Sequence, residues 1–244
     1  MLDFPPSVTT VLVQVGAFLE PMLPPVGAFH VASLIVEPVS KTRRVLFQKC
    51  EDEEQRRNES FCSSRVVILG AAVSNVSTVG TMHLYNWGGV ASSLSVVTPV
   101  VAQQRYGKSP STTSVMPWNR NGHRHMQNES RLYEHAPVLS LGSLIDAIPQ
   151  QLRISDMLLD MQGHDLAAIR SCIAGGQLRR VQTLTHECWG DGTQPFYQGV
   201  QNDCKSWSEL MADQGFVMRR KHKAWGDTKY NLQEYDQTWQ NTHT

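Results

Sequence analysis

The run LLDMQGHDLAAI at 158–169 closes an apolar segment with a carboxylate, Asp160, and continues through Gly163, His164 and Asp165 into a helix-like stretch. One reading is architectural: a strand, a sharp turn at the glycine and a helix capped by Asp165. The other places Asp160 at the mouth of a sheet beside a ligand. In open α/β sheets ligands bind outside the carboxyl ends of the strands, where strand order reverses. The residues ending each apolar run therefore matter most. They are Gly16, Glu37, Ser74–Asn75, Asp160 and Glu187, and three of these five ends carry an acid. Glu37 lies 21 positions beyond Gly16. An acid at that distance can accept hydrogen bonds from both hydroxyls of a ribose; it can equally cap a turn.

Such residues need a scaffold. The runs VLVQVG (11–16), VASLIVEP (31–38), VVILGAAV (66–73), ISDMLLDM (154–161) and VQTLTHE (181–187) are short and apolar, as strands buried on both faces are. Helical candidates LGSLIDAI (141–148), DLAAIRSCI (165–173) and SWSELMADQ (206–214) alternate with the later ones. Strands alternating with helices predict an α/β fold with a mainly parallel central sheet. The stretch 216–232 predicts an antiparallel edge hairpin, with a turn at Gly226–Asp227. The chain reads as a single domain over 1–244, interrupted by polar insertions at about 50–64 and 103–135. The first would be an exposed loop or short surface helix, and the second is long enough to be functional.

The 22 basic and 22 acidic side chains cancel, so no global charge draws the chain to nucleic acid or an anionic membrane. No apolar run is long enough to span a bilayer. The first residues lack the pattern of a signal peptide, although a targeting segment can have been removed. Five cysteines with no C-x-x-C pair suggest a reducing, intracellular compartment, cytoplasm or organelle interior alike. Sequons stand at Asn58, Asn75 and Asn128, which that compartment would leave unused.

VQVGAF…EPM (13–22), LIVEPV (34–39), GAAVSN…GTMHLYN (70–86), ASSL (91–94), LLDMQGHDL (158–166) and QTLTHE (182–187) follow the order and rough spacing of one family. Over about residues 10–217 the chain resembles the FkbM-type methyltransferases, class I enzymes that use S-adenosylmethionine on a Rossmann-like sheet. The resemblance implies that Gly16 lets the cofactor approach the backbone and that Glu37 holds its ribose. It puts Asn75 near the adenine, Asp160 near the methionine end and the acceptor, and Glu187 at the close of the fifth strand. The acceptor would be a hydroxyl of a small molecule or glycan, with Asp160, His164 and Glu187, in that order, as candidate bases. For His164 and for the pair His186 and Cys188 a structural role competes.

The first loop departs from the family. GAFLEPM (16–22) lacks the second glycine, and Pro21, Pro24 and Pro25 prevent a regular helix from starting there. A catalytically inactive structural subunit of a larger complex, with protein partners, is the alternative these departures raise. HRH at 123–125 has no acid or cysteine at ligand spacing, so no metal site is expected. The basic run RRKHK (219–223) suits an edge strand guarded against pairing.

Overall fold

Short runs of β-branched and aliphatic residues form strands here, the first two buried along nearly their whole length. In chain order the described strands are β1 (Thr10–Val15), β2 (Val31–Val36), β3 (Val66–Leu69), β4 (Ala72–Ser74), β5 (Thr78–His83) and β6 (Tyr133–Ser140). β7 (Arg153–Leu159), β8 (Val181–Trp189), β9 (Phe216–Asp227) and β10 (Leu232–Asn241) complete the set. The computed structural model describes residues 1–17, 19–83, 94–95, 133–227 and 231–243. Seven strands form the main sheet in the order β3-β2-β1-β7-β8-β10-β9. The first five are parallel, whereas β10 runs antiparallel to both β8 and β9. The expected parallel sheet with an antiparallel hairpin at its edge is thus present, but Gly226 and Asp227, expected to form its turn, belong to β9 and pair with Gln233 and Leu232. β9 is the outermost strand, with Arg219, Arg220, Lys221, His222 and Lys223 all exposed along it.

Among the described residues five α-helices pack on this frame: α1 (Ser40–Arg57), α2 (Cys62–Arg65), α3 (Leu141–Asp146), α4 (Asp165–Ala174) and α5 (Cys204–Asp213). Ser140 caps α3 by accepting from the Ser143 amide at 3.1 Å, and Asp203 caps α5 by accepting from the Ser206 amide at 2.7 Å. Leu144, Ile169 and Trp207 reach from the last three helices into a core shared with Val13, Leu34, Ile154 and Leu184 of the sheet. Arg180 closes the end of α3, donating to the carbonyls of Ile145, Ile148, Pro149 and Leu152 at 2.7–3.2 Å.

Several expectations change. The run 66–73 is not one strand. It breaks at Gly70, where a side chain would meet the Arg43 guanidinium at 2.8 Å, and β4 joins a second sheet of order β4-β6-β5. The charged residues 50–57 are the second half of α1, which ends at Asn58 in the left-handed conformation (φ 51°). Residues 103–132 of the second insertion, HRH included, lie outside the described residues, as do residues 91–93 of ASSL and residues 84–86 of GTMHLYN.

The free thiols expected from the cysteine count are replaced by two disulfides, Cys50–Cys62 and Cys188–Cys204, leaving Cys172 buried and unpaired. The partners lie 12 and 16 residues apart; the fold joins Cys50 of α1 to Cys62 at the start of α2, and Cys188 of β8 to Cys204 at the start of α5, which spacing in the sequence does not reveal. Among the described residues no helix is long and apolar enough to cross a membrane.

Candidate active site

Strand order reverses between β1 and β7, and the tips of the strands on either side are laced together. The Gly16 amide donates to Val36, the Glu37 amide to Leu69 and the Asp160 amide to Val15, each at 2.9–3.0 Å. With β1 between them, Glu37 and Asp160 stand two strand spacings apart, about 10 Å. Gly16 adopts φ +79°, and a Cβ there would sit 1.8 Å from the Asp160 carbonyl oxygen. The glycine thus serves the close approach of β1 to the Asp160 turn.

The loop that follows contains no helix among its described residues. It is clamped by Gln14, a buried strand residue whose Nε2 donates to the Glu20 carbonyl at 2.9 Å and whose Oε1 accepts from the Met22 amide at 2.6 Å. Lys49 of α1 holds the same loop through the Leu19 carbonyl at 2.5 Å. The prolines stop the helix, and side-chain hydrogen bonds replace it.

Glu37 is buried. Its Oε1 accepts from the Val39 amide at 2.8 Å and so closes the turn into α1, while Arg43 donates to the Glu37 and Pro38 carbonyls at 3.0 and 2.6 Å.

At the end of β7 the chain makes the turn quoted at the outset. Gln162 takes a left-handed conformation at φ 51° and Gly163 follows at φ 98°. A non-glycine residue with positive φ costs about 1–2 kcal/mol, so something must hold Gln162 there. Its Nε2 donates to Asp160 Oδ1 at 2.6 Å and reaches Glu187 Oε2 at 3.4 Å, and its Oε1 accepts from the Tyr197 hydroxyl at 2.5 Å. One amide therefore bridges two carboxylates and is itself fixed by a buried phenol. Tyr197 sits on the loop closed by Cys188–Cys204, in an aromatic group with Trp189 and Phe196. A side chain at position 163 would strike the Tyr197 ring at 2.7 Å.

The electrostatics are acidic. Burial pushes the Asp160 carboxyl up to about 6, against the hydrogen bond from Gln162, and the Glu234 charge raises it further. Burial likewise lifts Glu187 well above the ordinary carboxylate range, with the charges of Asp160 and Glu234 adding to it. Asp236 faces Glu187 directly across the β8–β10 ladder, and the adjacent His222 lies 3.9 Å from it. Asp165, fully buried, accepts from the Met161 amide at 3.1 Å and is raised to about 7 by burial. Near neutrality, then, Asp160 is mostly ionised, while Glu187 is the harder of the two to charge.

The structure joins Gly16, Asp160 and Glu187. His164 stands slightly apart: its Nε2 lies 2.9 Å from the Ser95 hydroxyl and its Nδ1 3.4 Å from the Ser74 hydroxyl, and burial lowers its pKa. Asn75 follows β4 in the small sheet, exposed, with Oδ1 accepting from Ser74 at 3.3 Å. Glu187 is not the strand's last residue, since β8 continues to Trp189. His186 is structural: it stacks on Trp207 at 3.5 Å, accepts from the Trp239 indole at 3.1 Å and is held down to about 3 by burial. Its supposed partner Cys188 is committed to a disulfide. Among the described residues no group of three or more His, Cys, Asp or Glu side chains could hold a metal ion.

The sequence reading missed Gln162, Tyr197, Glu234 and Asn202. Gln162 lay inside the quoted run without drawing notice, and the alternation in LQEYDQTW marks Glu234 and Asp236 as one face of β10. The Asn202 side chain accepts from the Leu166 amide and the Trp207 indole and donates to the Glu187 carbonyl. Nothing in its neighbourhood in the sequence announces this.

A sheet with the order β3-β2-β1-β7-β8-β10-β9, its last-made strand inserted antiparallel, is the Rossmann-like fold of class I methyltransferases. No family model matches the chain, and no curated protein sequence matches it. Among solved structures it is similar to methyltransferase FkbM from Methylobacillus flagellatus KT, at 12% identity and a TM-score of 0.44. That likeness covers 97% of this chain but only 45% of the FkbM chain. It is also similar to Burkholderia thailandensis 1,6-didemethyltoxoflavin-N1-methyltransferase with bound S-adenosylhomocysteine, at 11% identity and a TM-score of 0.34, covering 96% of this chain and 72% of that one. A geranyl diphosphate methyltransferase in complex with S-adenosylmethionine gives 8% identity and a TM-score of 0.39, covering 96% and 78%.

Proposed function

We propose that the chain is an S-adenosylmethionine-dependent methyltransferase of the FkbM type, acting on an oxygen of a small molecule or glycan. The observation that carries this reading is the Asp160–Glu187 carboxyl pair, bridged by Gln162 beside the switch point. The donor set fits the cofactor. Two half-buried carboxyls whose pKa values are raised by burial gain from a cation placed beside them, and the cofactor carries a sulfonium. Gly16, Glu37, Asn75 and Asp160 would hold it, and when bound it supplies an electrophilic methyl group. Asp160, ionised above pH about 6, takes the proton of the acceptor hydroxyl. Glu187, held above the ordinary carboxylate range by burial, flanks it, and His164, neutral and tied to two serines, orients the rim. Alignment of acceptor and methyl group supplies the remainder, worth about 7–11 kcal/mol in favourable cases.

Titration calorimetry with S-adenosylmethionine tests this. Binding is expected, weakened by Glu37→Ala and strengthened as pH rises through about 6 because Asp160 then becomes charged. Silence at millimolar ligand ends the proposal. The loop after β1, without a helix among its described residues, favours a second reading, a catalytically inactive subunit of a larger complex. In that case Glu37→Ala would leave assembly untouched and no ligand would bind.

A further inference from the structure

Residues 58–60 read Asn-Glu-Ser, an N-x-S sequon whose use depends on compartment and exposure. Both conditions look different once the fold is known. Two disulfides favour an oxidising compartment over the reducing one suggested by the cysteine count. One of them, Cys50–Cys62, encloses the sequon, tying the last part of α1 to the start of α2 with Cα atoms 5.9 Å apart.

Within that ring the geometry presents the asparagine outward. Asn58 ends α1 in the left-handed conformation, a position that asparagine tolerates well, and its side chain is exposed, as is Ser60. Among the described residues nothing hydrogen-bonds the Asn58 side-chain amide. The intervening Glu59 turns the other way, its Oε1 accepting from the Gly27 amide at 3.1 Å. Glu54 braces the far side of the loop, accepting from the Phe61 and Cys62 amides. The sequon is therefore a rigid exposed turn on the side of α1 and α2, with the candidate active site formed by other elements.

The other two sequons are poorer. Asn75 leans on Ser74 next to His164, where a glycan would crowd the candidate site, and Asn128 lies outside the described residues.

We infer that Asn58 is an N-glycosylation site and that the chain matures in an oxidising compartment that attaches glycans. The Asn58 Nδ2 forms a bond to the anomeric carbon of an oligosaccharide, the bond from that carbon to a lipid diphosphate breaks, and the diphosphate leaves with the amide's proton. The inference is independent of the methyl-transfer reading.

The test uses the full chain purified from its natural source. Glycan release by an amidase in ¹⁸O-water, followed by peptide mass spectrometry, should convert Asn58 to labelled Asp in a peptide that, before reduction, is still disulfide-linked through Cys50 and Cys62. A Ser60→Ala chain expressed in the same source removes the acceptor motif without touching the left-handed turn, and it should run lighter by one glycan while keeping its melting temperature. An unmodified Asn58 overturns the inference, whether the cysteines prove oxidised or reduced.

Discussion

Gln162→Gly separates the two things that residue does. Glycine accepts φ 51° without the cost of about 1–2 kcal/mol carried by other side chains, so the turn itself is relieved. What disappears is the amide that donates to Asp160 at 2.6 Å. A hydrogen bond to a charged group is worth about 1.5–3 kcal/mol, and each pKa unit corresponds to about 1.4 kcal/mol. The Asp160 carboxyl, already raised to about 6, should therefore rise by about one to two further units. Carbon-13 NMR of the side-chain carboxyls, followed from pH 4 to 9, reads this directly and needs neither cofactor nor acceptor. Tyr197→Phe, which frees the amide to rotate, should move the same resonance in the same direction by a smaller amount. If the Asp160 midpoint stays put in Gln162→Gly while the fold persists, the bridging amide does not govern that carboxyl, and its assignment as base loses its support.

Gly16→Ala should cost more than about 3 kcal/mol, since the new Cβ meets a backbone oxygen at 1.8 Å in a backbone region unfavourable to alanine; urea unfolding measures it. Asp160 and Asp165 have raised folded pKa values, so their contribution to stability is full below pH about 4 and is lost as pH climbs through about 6 and 7. Melting temperature should fall across that window, and Asp165→Asn should flatten the fall; a curve that rises instead contradicts the burial of both groups. Reducing Cys188–Cys204, which closes a ring of 16-residue separation, should cost about 3 kcal/mol. The loss should appear in a thermal melt with and without a dithiol, together with weaker protection of the Tyr197 loop in hydrogen exchange.

The parallel strands were legible because burial on both faces leaves a plain mark, an unbroken aliphatic run such as VASLIV. The three later helices were legible from their apolar spacing, although Asp165, expected as a cap, is the first helical residue and accepts from the Met161 amide of the preceding turn. α1 was not, because a helix bearing CEDEEQRR shows little apolar stripe, with only Thr42, Leu46 and Cys50 buried. The small sheet escaped for a different reason: its pairing of β4 with β6 joins segments about 65 residues apart and begins at a kink imposed by Arg43 against Gly70.

The candidate site divides in the same way. Acids at strand tips announce themselves, whereas Tyr197 and Asn202 sit in a loop without periodicity and become meaningful only when the disulfide brings that loop over the turn at 160–163.

The position of β10 carries a consequence for how the molecule is made. Of the described strands this one is synthesised last, yet it pairs with β8 on one side and β9 on the other. Until it emerges from the ribosome, β8 presents a bare margin of amides and carbonyls, and β9 has no neighbour in the sheet. Closure must wait for the final pairing, which makes the nascent chain a natural client for chaperones and a shortened transcript prone to clump.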